Sequence, residues 1–154
     1  MGRQTGPLAC VEDVCLMTHT PPSGSETILV VDDEPVVLDV SSELLASLGY
    51  QVKSAHSGED AIAYLEKNHA DLVLLDVVMP PGIDGVETLR RIKAIKPTQK
   101  AIVLSGCGDS FVAAATLALG AGCFIRKPAP LPVLASAVRN ELDGVPHSRD
   151  YGYA

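Results

Sequence analysis

The sequence predicts an α/β domain in which a five-stranded parallel sheet is wound on both faces by five helices. Three observations predict it. Five strand-like segments recur between Thr27 and Lys127, the first of them a short apolar run rich in β-branched residues, which marks a strand buried on both faces. Longer segments with apolar residues at helical spacing lie between them. The two patterns alternate throughout, as βα units do in a doubly wound sheet.

The first strand is "TILVVDD", beginning at Thr27. Pro35 suits the first turn of the helix that follows, with Val37, Val40, Leu44, Leu45 and Leu48 as its expected inward face and Gly49 as its close. "YQVKSA" is the second strand. Ser57, with Asp60 three residues on, resembles a capping box that opens a helix through Ala61, Ile62 and Leu65. The third strand, "DLVLLDVVM", contains Asp76 at its end. After the loop "PPGIDG", a helix turns Val86, Leu89 and Ile92 inward until Pro97 stops it. "KAIVLSG" is the fourth strand, "SFVAAATLALG" the fourth helix and "CFIRK" the fifth strand. The fifth helix starts near Pro132 and is expected to bury Leu131, Leu134, Val138 and Leu142.

At 154 residues the chain can hold one domain with a full core but not two. Its 47% apolar content argues against disorder, and no apolar run is long enough to cross a bilayer. Glu12 and Asp13 interrupt the apolar stretch near the N-terminus, so it does not read as a signal peptide, and a cytoplasmic location is expected. Cys10, Cys15, Cys107 and Cys123 match neither a zinc pattern nor a disulfide framework and read as reduced thiols. A net charge of −7 disfavours a nucleic-acid surface. Residues 1–25, rich in Pro, Ser, Gly and Thr toward their end, read as a tail or linker. The domain is expected over 26–143, with a C-terminal tail over 144–154 too short for an output domain.

Parallel βα units bring the C-terminal ends of all strands to one edge, and ligands bind there where the strand order reverses. In the order 2-1-3-4-5, Asp32 and Asp33, which finish the first strand, and Asp76 at the end of the third would share one pocket. Two carboxylates about 4 Å apart repel by roughly 4 kcal/mol at an effective dielectric of 20, so a cation is expected among them. Oxygen ligands at a semi-open site suit Mg2+, with Mn2+ as the alternative ion. Ser105 ends the fourth strand and Lys127 the fifth. A carboxylate, a hydroxyl, an ammonium and a hard cation are what in-line phosphoryl transfer needs. Each of these residues alone reads as a turn or a cap; the meaning lies in their shared edge.

These motifs, "VVDDEP", "DLVLLDVVMP", Asp84-Gly85, "VLSG" and "GAGCFIRKP", resemble the receiver domain of two-component response regulators over roughly residues 26–143. The resemblance implies a flavodoxin-like (βα)5 fold and identifies Asp76 as the acceptor of a phosphoryl group from a histidine kinase's phosphohistidine. It implies that Asp33, Asp76 and the backbone carbonyl of Val78 bind Mg2+, with Asp32 acting through water. Lys127 would contact the acyl phosphate and Ser105 would hydrogen-bond its oxygen. Phe124 stands where the family carries a switch aromatic, against the simpler reading of a core residue at a strand start. A cis peptide is implied before Pro128. The loop "MPPGIDG" looks one residue longer than the commonest family form, and Cys107 lies two residues beyond Ser105, where an inert loop thiol is the simpler reading.

The expected partners are a sensor histidine kinase or phosphotransfer protein, and a downstream protein meeting the surface of the fourth helix, fifth strand and fifth helix. Phe111, Val112, Ala113, Leu117 and Leu119 make the fourth helix more apolar than one buried stripe requires, which also suits a second copy of the chain. Both a stand-alone receiver and the receiver of a hybrid kinase fit the sequence. The alternative function is an interaction module with this fold that no longer depends on phosphorylation. An aspartyl-phosphate phosphatase is disfavoured because Val77 and Val78 follow Asp76 where that class carries D-x-D. A flavin carrier is disfavoured by the acidic first loop.

Overall fold

The structure is a computed structural model that describes residues 23–106 and 110–147. Most of the expected N-terminal tail, the loop containing Cys107, and residues 148–154 lie outside the described residues. The elements are β1 (Thr27–Val31), α1 (Pro35–Ser47), β2 (Gln51–Ala55), α2 (Gly58–Lys67), β3 (Leu72–Asp76), α3 (Gly85–Ile95), β4 (Lys100–Ser105), α4 (Ser110–Ala118), β5 (Cys123–Arg126) and α5 (Leu131–Asp143). The strands form one sheet in the order β2-β1-β3-β4-β5, and every neighbouring pair is parallel. The predicted fold class and strand order are those observed.

Strands β1, β3, β4 and β5 are largely apolar and feed two cores, one on each face, because successive side chains point to opposite sides, while edge strand β2 is fully buried only at Ala55. Leu29, Val31, Val73, Leu75, Val103 and Phe124 pack toward Ala61, Leu65, Leu89, Ile92 and Ala113 of α2, α3 and α4. Ile28, Val30, Leu72, Leu74, Ile102 and Ile125 pack toward Leu38 and Leu45 of α1 and Leu134, Ala137 and Val138 of α5. Five residues of β3 are buried in succession, as a central parallel strand requires.

Local signals set the helix ends. Ser57 Oγ accepts from the Asp60 N–H at 3.0 Å, and Asp84 Oδ1 accepts from the Glu87 N–H at 2.8 Å, each satisfying one otherwise orphan donor. Gly49 follows α1 with φ of 95°, a backbone conformation that side-chain-bearing residues seldom adopt. The peptide bonds Pro80–Pro81 and Lys127–Pro128 are cis.

One face was expected wrongly. The sequence suggested that Val37 and Val40 turn inward on α1, but Leu38 is buried and Val40 is 51% exposed. The run "VVLDV" offers two apolar stripes, and Leu45 decides between them. Leu38 lies seven residues, close to two turns, before Leu45, whereas Val40 is about 200° around the helix from Leu38. On α4, Ala113 and Thr116 face the core, while Phe111 is 79% and Leu117 46% exposed. Cys123 is a buried free thiol whose pKa burial pushes up to about 12, so it is inert near neutrality.

Candidate functional site

The strand ends assemble the site. Asp76 is the last residue of β3, opposite Leu104 of β4, and Ser105 lies opposite Arg126 of β5. β1 ends at Val31, so Asp32 and Asp33 turn out of the sheet at the same rim. The Asp32 N–H still donates to the Ala55 carbonyl at 3.2 Å, and the Val77 N–H to the Leu104 carbonyl at 3.1 Å. These bonds hold both carboxylate-bearing segments to the sheet just past its edge. The Lys127 N–H donates to the Ser105 carbonyl at 2.7 Å, which fixes the hydroxyl and ammonium residues side by side.

Asp32, Asp33 and Asp76 each present a carboxylate oxygen, and all three oxygens lie within 4.8 Å of one another. Asp32 and Asp76 are buried, and Asp33 is partly open. Lys127 Nζ stands 2.8 Å from Asp32 Oδ2 and 3.2 Å from Asp76 Oδ1. Its closest partner is thus Asp32, a contact that the sequence reading did not anticipate. Asp32 Oδ1 also accepts from the Glu34 N–H at 3.0 Å, so both its oxygens are engaged.

Burial pushes the Asp76 carboxyl above its ordinary range; Lys127 opposes that shift and the neighbouring Asp32 charge adds to it. Burial also works against the Lys127 ammonium, but the hydrogen bond to Asp32 and the charges of Asp76 and Asp32 raise its pKa on balance. Lys127 thus pairs with two of the three clustered carboxylates, Asp32 and Asp76, and leaves the cluster with an excess of negative charge. That imbalance, with oxygen-only donors and one partly open ligand, fits a hard divalent cation that keeps several waters.

Two further expected residues lie close in the chain to these groups, Phe124 three residues before Lys127 and Val78 two after Asp76. Phe124 is buried in the core beside α3 and α4, with its register partner Val103 on β4. Val78, two residues beyond Asp76, is exposed at the rim, where Val77, Val78, Met79, Pro80, Gly82 and Asp84 line a groove of about 350 Å³.

Sequence reasoning missed the supports beneath the site. The Gly85 N–H donates to the Val77 carbonyl at 2.7 Å. A Cβ on Gly85 would lie 2.7 Å from Val77 Cα and 3.0 Å from the Asp76 carbonyl carbon, and closer still to the Asp76 carbonyl oxygen. The Asp84-Gly85 pair is visible as a motif in the sequence, but its steric reason exists only in three dimensions. Fully buried Thr88 donates its hydroxyl to the Asp84 carbonyl at 2.7 Å. Glu59 Oε1 accepts from the Ile83 N–H at 3.0 Å, tying α2 to the loop.

The chain is similar to known proteins over most of its described residues. Residues 28–139 match the family model described as the response regulator receiver domain. The chain is 37% identical over 123 residues to the sensor histidine kinase RcsC of Escherichia coli K12, covering 80% of this chain and 13% of that protein. It is 33% identical over 118 residues to the sporulation initiation phosphotransferase F of Bacillus subtilis, covering 77% of this chain and 94% of that protein. A solved receiver domain, CheY-like, from Methanospirillum hungatei superposes with a TM-score of 0.75 at 28% identity, covering 79% of this chain and 96% of that one. The chain thus spans about an eighth of one relative and nearly all of another.

Proposed function

The chain belongs to the response regulator receiver family of two-component systems, and from that premise we propose that it accepts a phosphoryl group on Asp76. The donor is a phosphohistidine of a sensor kinase or phosphotransfer protein, the class of partner with which receiver domains interact. Receiver domains are generally non-catalytic signalling domains; this one would assist its own phosphorylation and hydrolysis. We take residues 26–143 as the receiver unit and the cytoplasm as its location; among the described residues no helix is long and apolar enough to cross a membrane.

The observation that carries this reading is the meeting of three carboxylate oxygens within 4.8 Å, with Lys127 Nζ 3.2 Å from Asp76. An Asp76 carboxylate oxygen attacks phosphorus, forming an O–P bond as the P–N bond to the donor imidazole breaks and its electron pair leaves on nitrogen. Lys127 sits where its ammonium can neutralise an equatorial oxygen of the transferred group, exchanging part of its pairing with Asp32 and Asp76. Ser105 supplies a hydroxyl donor to another oxygen. Asp33 and Asp76, with the Val78 carbonyl and Asp32 through water, would hold Mg2+. When bound, Mg2+ supplies charge neutralisation for the transferring oxygens.

The new phosphate contacts then bias a packing change in which Ser105 moves toward the phosphoryl group and Phe124 follows. The surface of α4, β5 and α5 carries that change to a downstream protein. The exposed Phe111 and Leu117 support this choice of surface.

The test is to incubate the chain with a small phosphodonor and follow its intact mass. With Mg2+ it should gain one acid-stable, alkali-labile phosphoryl group, and with a chelator none. Failure to label with Mg2+ present would favour the reading of an interaction module independent of phosphorylation.

A further inference from the structure

We propose that Glu59, on α2, is a positioning residue for Asp76: by holding the loop that follows Asp76, it lengthens the lifetime of the phosphoryl group there. The inference rests on the proposed phosphorylation of Asp76 and adds a residue from outside the carboxylate cluster.

The loop over residues 77–84 leaves the sheet at Asp76 and returns beneath it at Gly85. Its base is fixed by the bonds from Val77 to Leu104 and from Gly85 to Val77. Its far side is held by the first turn of α2. Glu59 Oε1 accepts from the Ile83 N–H at 3.0 Å, and a Cβ on Gly82 would lie 2.6 Å from Glu59 Oε2. A Cβ on Gly58 would lie 2.8 Å from Ile83 Cγ1, so the backbone of α2 also approaches the loop closely. The bond from Ile83 holds the Glu59 carboxyl below its ordinary range.

This same loop lines a groove that begins at Val77, the residue after Asp76, and carries exposed Val78. Loss of the phosphoryl group requires water to attack phosphorus. A new O–P bond forms, the O–P bond to Asp76 breaks, the aspartate leaves as a carboxylate, and the protons of water pass to inorganic phosphate and solvent. A held loop restricts the approach of that water, whereas a loop released at Ile83 admits it.

The experiment loads the full chain from a small phosphodonor with Mg2+, removes the donor, and follows loss of the phosphoryl group by intact mass. Glu59→Ala is expected to shorten the half-life about threefold or more, as loss of one positioning hydrogen bond allows. Gly82→Ala attacks the same contact from the other side, because its Cβ displaces the Glu59 carboxylate, and should shorten the half-life likewise. Glu59→Gln keeps an oxygen acceptor for Ile83 and should stay within about twofold of the native value. Melting temperatures should differ by no more than about 2 °C, as for a surface position. Unchanged or lengthened half-lives in both alanine variants would overturn the proposal, as would a glutamine variant as short-lived as alanine. A native chain that takes up no phosphoryl group removes the reading of Asp76 itself, whereas normal loading with equal lifetimes removes only the role of Glu59.

Discussion

Asp76→Asn is expected to abolish phosphoryl incorporation while leaving the fold intact. The substitution keeps the shape of the side chain but replaces a carboxylate oxygen with an amide, whose lone pairs are far poorer nucleophiles toward phosphorus. Asp32 and Asp33 remain within reach of a donor, but both oxygens of Asp32 are already engaged by Lys127 and Glu34. Asp33 belongs to the same cluster, but the ion pairs of Lys127 are with Asp32 and Asp76. Labelling should therefore fall below detection, and near-native labelling of the variant would place the acceptor elsewhere. The melting temperature should stay level or rise, because the variant removes one of three crowded carboxylates while Lys127 keeps its 2.8 Å contact with Asp32.

Gly85→Ala should destabilise the domain and slow phosphorylation together. Helix propensity alone predicts the reverse, since alanine is favoured over glycine by up to about 1 kcal/mol in a helix. Here the added Cβ would meet the backbone of Asp76 and Val77, at 2.7 Å from Val77 Cα. Backbone at the end of a fully buried central strand has little room to give, and overpacking of this kind costs about 1–3 kcal/mol. The clash wins, and the expected fall in melting temperature is about 5 °C or more. The segment that must move also carries the acceptor, so labelling should slow as stability drops. A variant as stable as the native chain, or more so, would show that the loop relaxes freely and that Gly85 does not support the site.

The fold was legible because its signals are local and repeated. Four of the five strands are largely apolar runs, the helices carry periodic faces, and Ser57 and Asp84 lie at helix starts where side-chain caps belong. Asp33, Asp76, Ser105 and Lys127 stood out because topology places the ends of parallel strands at one edge whatever the side-chain details. What stayed hidden depends on distances that no spacing encodes. Val40 and Leu38 were confused because both belong to one apolar run, and only packing against β-strands selects a stripe. The preference of Lys127 for Asp32 follows from the geometry of two turns, not from either motif. Arg139 reaches Glu26 across 113 residues, at 2.9 Å, and nothing in either segment announces the other. Glu59 was similarly invisible, since an acidic residue in a helix's first turn already has a local explanation in the helix dipole.

The central claim is that carboxylates from separate strands crowd together because a divalent ion relieves them. Thermal melting with and without Mg2+, on the native chain and Asp33→Asn, tests it most directly. The native melting temperature should climb with Mg2+ concentration, as ligand binding to the folded state requires. The variant, with one charge fewer in the cluster, should melt higher than the native chain in metal-free buffer and respond little to Mg2+. Equal Mg2+ responses in the two proteins, or none in the native chain, would contradict the account.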